Sequence, residues 1–177
     1  MADVGVRAAR VADVAAVTDV QVRAWRIGYA GVVPTPALSA MVGDEAAQEW
    51  RERWTEAITA PPTPRHRLLV AVEHDKVVGL SAHAPAGEPD RDPATTSELL
   101  TLLVDPEHGR AGHGSRLLAA TVDLLREDGV AELLTWVFEA DTALRGFLEP
   151  AGWAPDGARK VLDLGEPVPM VRMHTGL

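Results

Sequence analysis

The chain contains no cysteine. That excludes disulfides, cysteine-rich metal sites and a thiol nucleophile. It has one tyrosine and two phenylalanines, so phenol chemistry has a single candidate, Tyr29. Basic residues are the minority, 17 against 26 acidic ones, for a formal net charge of -9. A general nucleic-acid binder needs a basic footprint, so no nucleic acid is expected as a partner. An acidic surface is compatible with a cationic amine and otherwise confers solubility. No apolar run is long enough to span a bilayer, and no membrane partner is expected. The opening MADVGVRAAR lacks the apolar core of a secretory signal. The expected location is cytoplasmic. There is no internal repeat. The six histidines, at 66, 74, 83, 108, 113 and 174, show no ligand spacing, and no metal is expected.

What is present suits one domain over 1–177 with a sizeable core: hydrophobic residues make up 46%. VGVRAA (4–9) alternates and predicts a short strand. Asp13 is placed to cap a helix carrying Val14, Val17, Gln21 and Ala24 at helical spacing. Residues 31–41 predict a loop and a short helical turn. Residues 44–59 predict a strong helix, striped by Ala46, Ala47, Trp50, Trp54, Ala57 and Ile58, with Glu49 and Arg53 as an i,i+4 pair. Strands at 66–73 and 77–84 predict a hairpin, and EPDRDPA (88–94) a solvated loop. SELLTLLV (97–104) predicts a central strand buried on both faces. A helix over 114–128, a strand over 131–138, a short helix over 141–152 and strands near 158–164 and 168–174 complete a mixed α/β order.

Behind the central strand stands VDPEHGRAGHGSRLL (104–118), with glycines at 109, 112 and 114. Glycine-rich strand-to-helix turns commonly cradle phosphate. Gly109 and Gly114 have the spacing of a P-loop, but Ser115 stands where its lysine must be. Gly112 and Gly114 begin a dinucleotide fingerprint, but Leu117 replaces its third glycine, and the loop lies past the middle of the chain. Backbone N–H groups at the start of the following helix can hold a pyrophosphate without a lysine, and the helix dipole favours it.

The stretch Gly109-Arg110-Ala111-Gly112-His113-Gly114 resembles the Q/R-x-x-G-x-G/A motif of the GCN5-related N-acetyltransferases. LLVDPEH before it, SRLLAATVDLL after it, AWRIGYAGVVP (24–34) and LLTWVFEADTALRGFLEPAGWAPDGARK resemble the same family in order, so the resemblance spans nearly the whole chain. It implies a single-domain GNAT fold with a mixed sheet of about seven strands flanked by helices. The fourth and fifth strands should splay apart to admit pantetheine. It implies acetyl-CoA as co-substrate, with cofactor contacts at the main chain of Leu102, Leu103 and Val104, at Gly109, Arg110, Ala111, Gly112, His113, Gly114 and Ser115, and at Asp141. Arg110 and Arg116 are placed to add charge near the phosphates. The His113 side chain is expected at the surface.

Three positions depart from the family pattern. Gly109 and Arg110 stand in swapped order. Asp141 replaces a common Asn, and a helix cap is its expected role. Leu148 replaces the common tyrosine that protonates the departing thiolate. The resemblance implies transfer to a primary amine, on a small molecule or a peptide, by direct attack. That step needs a neutral amine, so something must take its proton. Glu98 is the only acid in the central strand and matches the general-base position of the histone-acetylating branch. Trp25 and Tyr29 fall where the acceptor site is walled. A homodimer is compatible with the sequence. The alternative, prompted by Leu148, Asp141 and Gly109, is a non-catalytic acyl-CoA-binding module.

Overall fold

A computed structural model describes residues 3–177. Seven strands form one sheet in the order β1-β2-β3-β4-β5-β7-β6. They are β1 (Val4–Ala8), β2 (Arg67–Glu73), β3 (Lys76–Pro85), β4 (Thr96–Val104), β5 (Glu132–Phe138), β6 (Ala154–Asp163) and β7 (Pro167–Gly176). Every neighbouring pair is antiparallel except β4 with β5. The helices are α1 (Val14–Gly28), α2 (Thr35–Met41), α3 (Asp44–Thr59), α4 (His113–Glu127) and α5 (Thr142–Leu148). This is the mixed α/β fold that the sequence implies.

Apolar periodicity decides which face each helix covers. Val14, Val17 and Val20 of α1 and Trp54 of α3 pack on Leu68, Val70, Leu80 and Ala82 on one face of the sheet. Leu117 of α4 packs on Leu69, Ala71 and Val78 on the other. Leu118 and Leu125 of α4 join Leu148 of α5 against Leu99, Leu133, Val137 and Met173 on that second face. The β2–β3 hairpin closes through His74 and Asp75, both with positive φ (49° and 62°). That is the two-residue turn geometry whose twist matches antiparallel strands.

Two local expectations are corrected here. Asp13 does not cap α1 with its side chain. Its carboxylate accepts from the Arg10 N–H at 2.7 Å and from Arg7 at 2.7 and 3.0 Å. A guanidinium fork offers two charge-assisted bonds, and they outcompete the helix end. On α3, Arg53 forms no ion pair with Glu49 among the described residues; its guanidinium lies 5.0 Å over the Trp50 ring. An exposed i,i+4 pair contributes a few tenths of a kcal/mol, and a cation over an aromatic face about 0.5–1 kcal/mol.

Candidate active site

β4 and β5 pair only at Thr96 with Glu132, Ser97 with Leu133 and Glu98 with Leu134. There the strands part. At the apex the Thr135 hydroxyl donates to the Leu99 carbonyl at 2.7 Å. Beyond it the main chain of Leu100–Val104 has no partner strand on its β5 side among the described residues. The second half of β4 is therefore not buried on both faces as its composition suggests; Leu100 is 58% exposed. Leu102 leans into the α4 core and Leu103 into the α1 core, so the backbone is what the fork presents.

β4 runs directly into the glycine loop. Asp105 is fully buried, accepts from the Glu107 N–H at 3.1 Å and pairs with Arg23 at 2.6 Å. It anchors a 3-10 turn over Pro106–His108. Arg110 then takes φ 61° and Gly112 φ 80°, and Gly112 is the N-cap of α4. The N–H groups of His113, Gly114 and Ser115 occupy the first turn, where no intrahelical acceptor exists. Arg116 folds back and donates to the Ala111 carbonyl at 2.8 and 2.9 Å, which sets its charge on the lip of the loop.

The glycines divide the work differently from the expectation. Gly112 is required by its φ, and a Cβ there would also meet Arg116 Nη1 at 2.8 Å. Gly114 has neither demand: a Cβ there would make only ordinary contact with the Phe147 ring, at 3.5 Å. Gly109 has an ordinary φ of -64°, and the left-handed residue beside it is Arg110. The exchanged order thus places an arginine in a conformation that favours glycine. The expectation of a surface His113 is corrected. Its side chain is buried, with Nε2 3.4 Å from the Glu73 carboxylate. As the first residue of α4 its side chain tilts back under the loop, so only its N–H faces the cradle.

Glu98 lies at the last paired position of the fork. It is half-buried and accepts no hydrogen bond among the described residues. Burial first, and then the charge of Glu88, raise its pKa; Lys160 and Arg172 oppose them. The loop after β3 is not the solvated connection expected for residues 88–94. Glu88 accepts from Trp136 Nε1 at 2.6 Å and from Arg172 at 3.3 Å. Arg172, buried on β7, also binds Asp90 at 2.6 and 2.8 Å and Asp156 at 2.6 Å. Arg91 joins Asp156 to Glu132, and Glu132 meets His174 at 3.0 Å. The acidic composition of this loop was legible. Its partner, about eighty residues away in sequence, carried no signal.

Trp25 and Tyr29 are brought together at the end of α1, with ring centroids 6.1 Å apart. Trp50 meets Trp25 edge-on at 5.6 Å, and Phe138 meets Tyr29 edge-on at 5.1 Å. The aromatic row thus reaches the far end of β5. Burial, and next the charge of Asp141, push the Tyr29 phenol up to about 12. Asp141 accepts from the Leu144 N–H at 3.1 Å and caps α5, the role expected for it. Leu148 is fully buried and carries no proton donor toward the fork. A cavity of about 510 Å³ opens between residues 31–36 and 166–169 on this side. A second, apolar cavity of about 550 Å³ lies near β1, away from the fork. Among the described residues no three His, Asp or Glu side chains converge as a metal site, and no helix is long and apolar enough to cross a membrane.

The overall fold recurs in known proteins. The chain is 23% identical over 141 residues to the uncharacterized N-acetyltransferase YuaI of Bacillus subtilis, covering 80% of this chain and 75% of that protein. The fold matches the PaiA N-acetyltransferase of Thermoplasma acidophilum, solved with coenzyme A, at a TM-score of 0.80, 16% identity and 99% coverage of both chains. It matches YncA of Salmonella typhimurium, solved with acetyl-CoA, at a TM-score of 0.66 and 20% identity, covering 99% of this chain and 94% of that one. A model of the acetyltransferase (GNAT) family matches residues 32–153, from the loop after α1 through the cradle and α5 to the start of β6. The chain belongs to the GNAT family of acetyltransferases and is an N-acetyltransferase.

Proposed function

We propose that the protein transfers the acetyl group of acetyl-CoA directly to a primary amine of a small molecule or a peptide. The observation that carries this reading is the fork: one unpaired strand edge leads from Glu98 to a left-handed loop capping a helix. The N–H groups of residues 110–115 and the lip charge of Arg116 suit a pyrophosphate. The free main chain of Leu102, Leu103 and Val104 suits an amide-bearing arm, which satisfies backbone groups otherwise left to water. Together these set the thioester at the apex, beside Glu98. A fold relative solved with coenzyme A and another solved with acetyl-CoA support the donor.

In this reading the amine arrives across the face shared by Glu98, Trp25 and Tyr29, which are its proposed base and walls. Glu98 takes the ammonium proton, directly or through water, and a raised pKa suits a base that works near neutrality. A backbone N–H of the fork polarises the thioester oxygen. The nitrogen attacks, the C–S bond breaks, and the thiolate leaves. Thiols have pKa values near about 8.5, so water or the protonated nitrogen suffices to protonate it where Leu148 offers nothing.

Two measurements test this. Saturating acetyl-CoA should raise the melting temperature, by about 2.7 kcal/mol of added stability at a hundredfold excess over Kd. Gly112→Val, which strains the left-handed cap and displaces Arg116, should remove most of that shift. CoA release with a panel of amines should then report turnover. Stabilisation without turnover on any amine would favour the binding-module alternative; no stabilisation would sink the donor assignment.

A further inference from the structure

The chain has 17 basic residues, and only two of them are lysines, Lys76 and Lys160. Lys76 opens β3 beside the hairpin turn, at the surface. Lys160 lies on β6, yet its Nζ sits 4.3 Å from the centre of the Trp136 ring. Trp136 is two residues beyond Leu134, the last β5 residue paired with β4. Side chains two apart on a strand share a face, so the ring stands at the mouth of the fork on the face of Glu98. Its indole N–H is fixed by Glu88 at 2.6 Å, which holds the ring as a platform. Arg172 lies farther from the same ring, at 5.7 Å. The Lys160 charge also acts on the Glu98 carboxyl. An exposed lysine gains most hydration by extending into water; this one reaches back over a neighbouring strand to the mouth of the fork.

We propose that Lys160 is an internal acceptor, and that the protein loaded with acetyl-CoA acetylates this side chain. The inference rests on the donor and general-base reading above. The chemistry is that of an external amine. Glu98, or water between them, takes a proton from the Lys160 ammonium, and the Nζ lone pair attacks the thioester carbon. The tetrahedral adduct collapses with loss of the C–S bond. The products are Nε-acetyl-Lys160, CoA thiol and one released proton. The amide is neutral, so the reaction removes the nearer of the two cations from the Trp136 ring and leaves only Arg172 beside it.

The test uses the full chain incubated with acetyl-CoA alone, followed by intact mass and peptide mapping. One acetyl group should appear on Lys160, at a first-order rate independent of protein concentration, while Lys76 stays unmodified as an internal control for non-enzymatic labelling. Lys160→Arg should abolish incorporation, and Glu98→Gln should slow it by at least about a hundredfold, the low side for a lost general base. Labelling of both lysines at similar rates, labelling insensitive to Glu98→Gln, or an unmodified Lys160 would each overturn the proposal. Melting shifts with acetyl-CoA and turnover of external amines are measured on the same samples. If both are present while Lys160 stays unmodified, this inference alone fails. If acetyl-CoA gives no shift, the donor reading fails with it.

Discussion

At Glu98 three influences meet: partial burial and the neighbouring Glu88 hold the proton on, while Lys160 and Arg172 pull it off. Burial dominates, so the carboxyl titrates above the ordinary carboxylate range. Glu98→Gln should therefore lower kcat by about 10²–10⁴-fold with little change in acetyl-CoA binding. The loss should shrink at high pH, where more of the amine is already neutral. The acidic limb of the wild-type profile should lie above an ordinary glutamate's pKa and disappear in the variant. A pH–rate profile of CoA release checks both points, and an unchanged profile would make Glu98 structural. Leu148 shows the opposite kind of residue. It is fully enclosed by the α4–α5 core, and its contribution is packing.

At the level of elements, the loop between β3 and β4 is held by a buried cation. Arg172 is 3% exposed and takes Glu88, Asp90 and Asp156 at once. Removing one partner of a buried ion cluster leaves the others desolvated and uncompensated. Arg172→Leu should destabilise the protein by about 3–5 kcal/mol. Asp90→Asn should cost far less, because the Asp90 side chain is 54% exposed and its ion pair is screened by water. Urea unfolding of the two variants separates these outcomes. Equal losses would mean that the cluster is held by the loop rather than the loop by the cluster. The fork beside it has a related logic: Thr135 satisfies the first carbonyl after the strands part, so the splay begins without an orphaned group at its apex.

For the whole molecule, stability should depend on pH through His83. This β3 side chain is 1% exposed, and neither ring nitrogen has a partner among the described residues. Burial, and next the charge of Arg67, depress its pKa from 6.5 to about 4, with Asp128 opposing. The native state therefore refuses a proton that the unfolded chain accepts. Above pH 6.5 neither state binds it, and there is no effect. As pH falls from 6.5 toward 4 the unfolded state gains protons and stability drops, by on the order of 3 kcal/mol in total. Below that range both states are protonated and the loss levels off. His83→Leu should flatten the slope between about pH 6.5 and 4, measured by urea midpoints. A slope unchanged in the variant would assign the pH dependence to other groups.

The sequence alone determined the parts governed by local periodicity and turn chemistry. The helical stripes of α1, α3 and α4 and the alternation in β2 and β3 were legible because each pattern repeats within a few residues. So was the Asp141 cap, because a cap needs only its own next turn. The glycine run pointed to the cradle, since few backbone conformations explain such a loop before a helix. Tertiary structure decided what depends on distant partners. The exposure of Leu100 follows from where β5 departs, and no property of SELLTLLV encodes that departure. His113 is buried because α4 sets it against Glu73, forty residues earlier in the chain. The loop at 88–94 is tied down because β7 inserts between β5 and β6 and brings Arg172 beneath it. Asp13 faces Arg7 and Arg10 rather than α1, because its carboxylate had two competing donors and only their geometry chose between them. Local patterns bias the backbone over single turns; charges and strand edges find their partners only when the sheet is assembled.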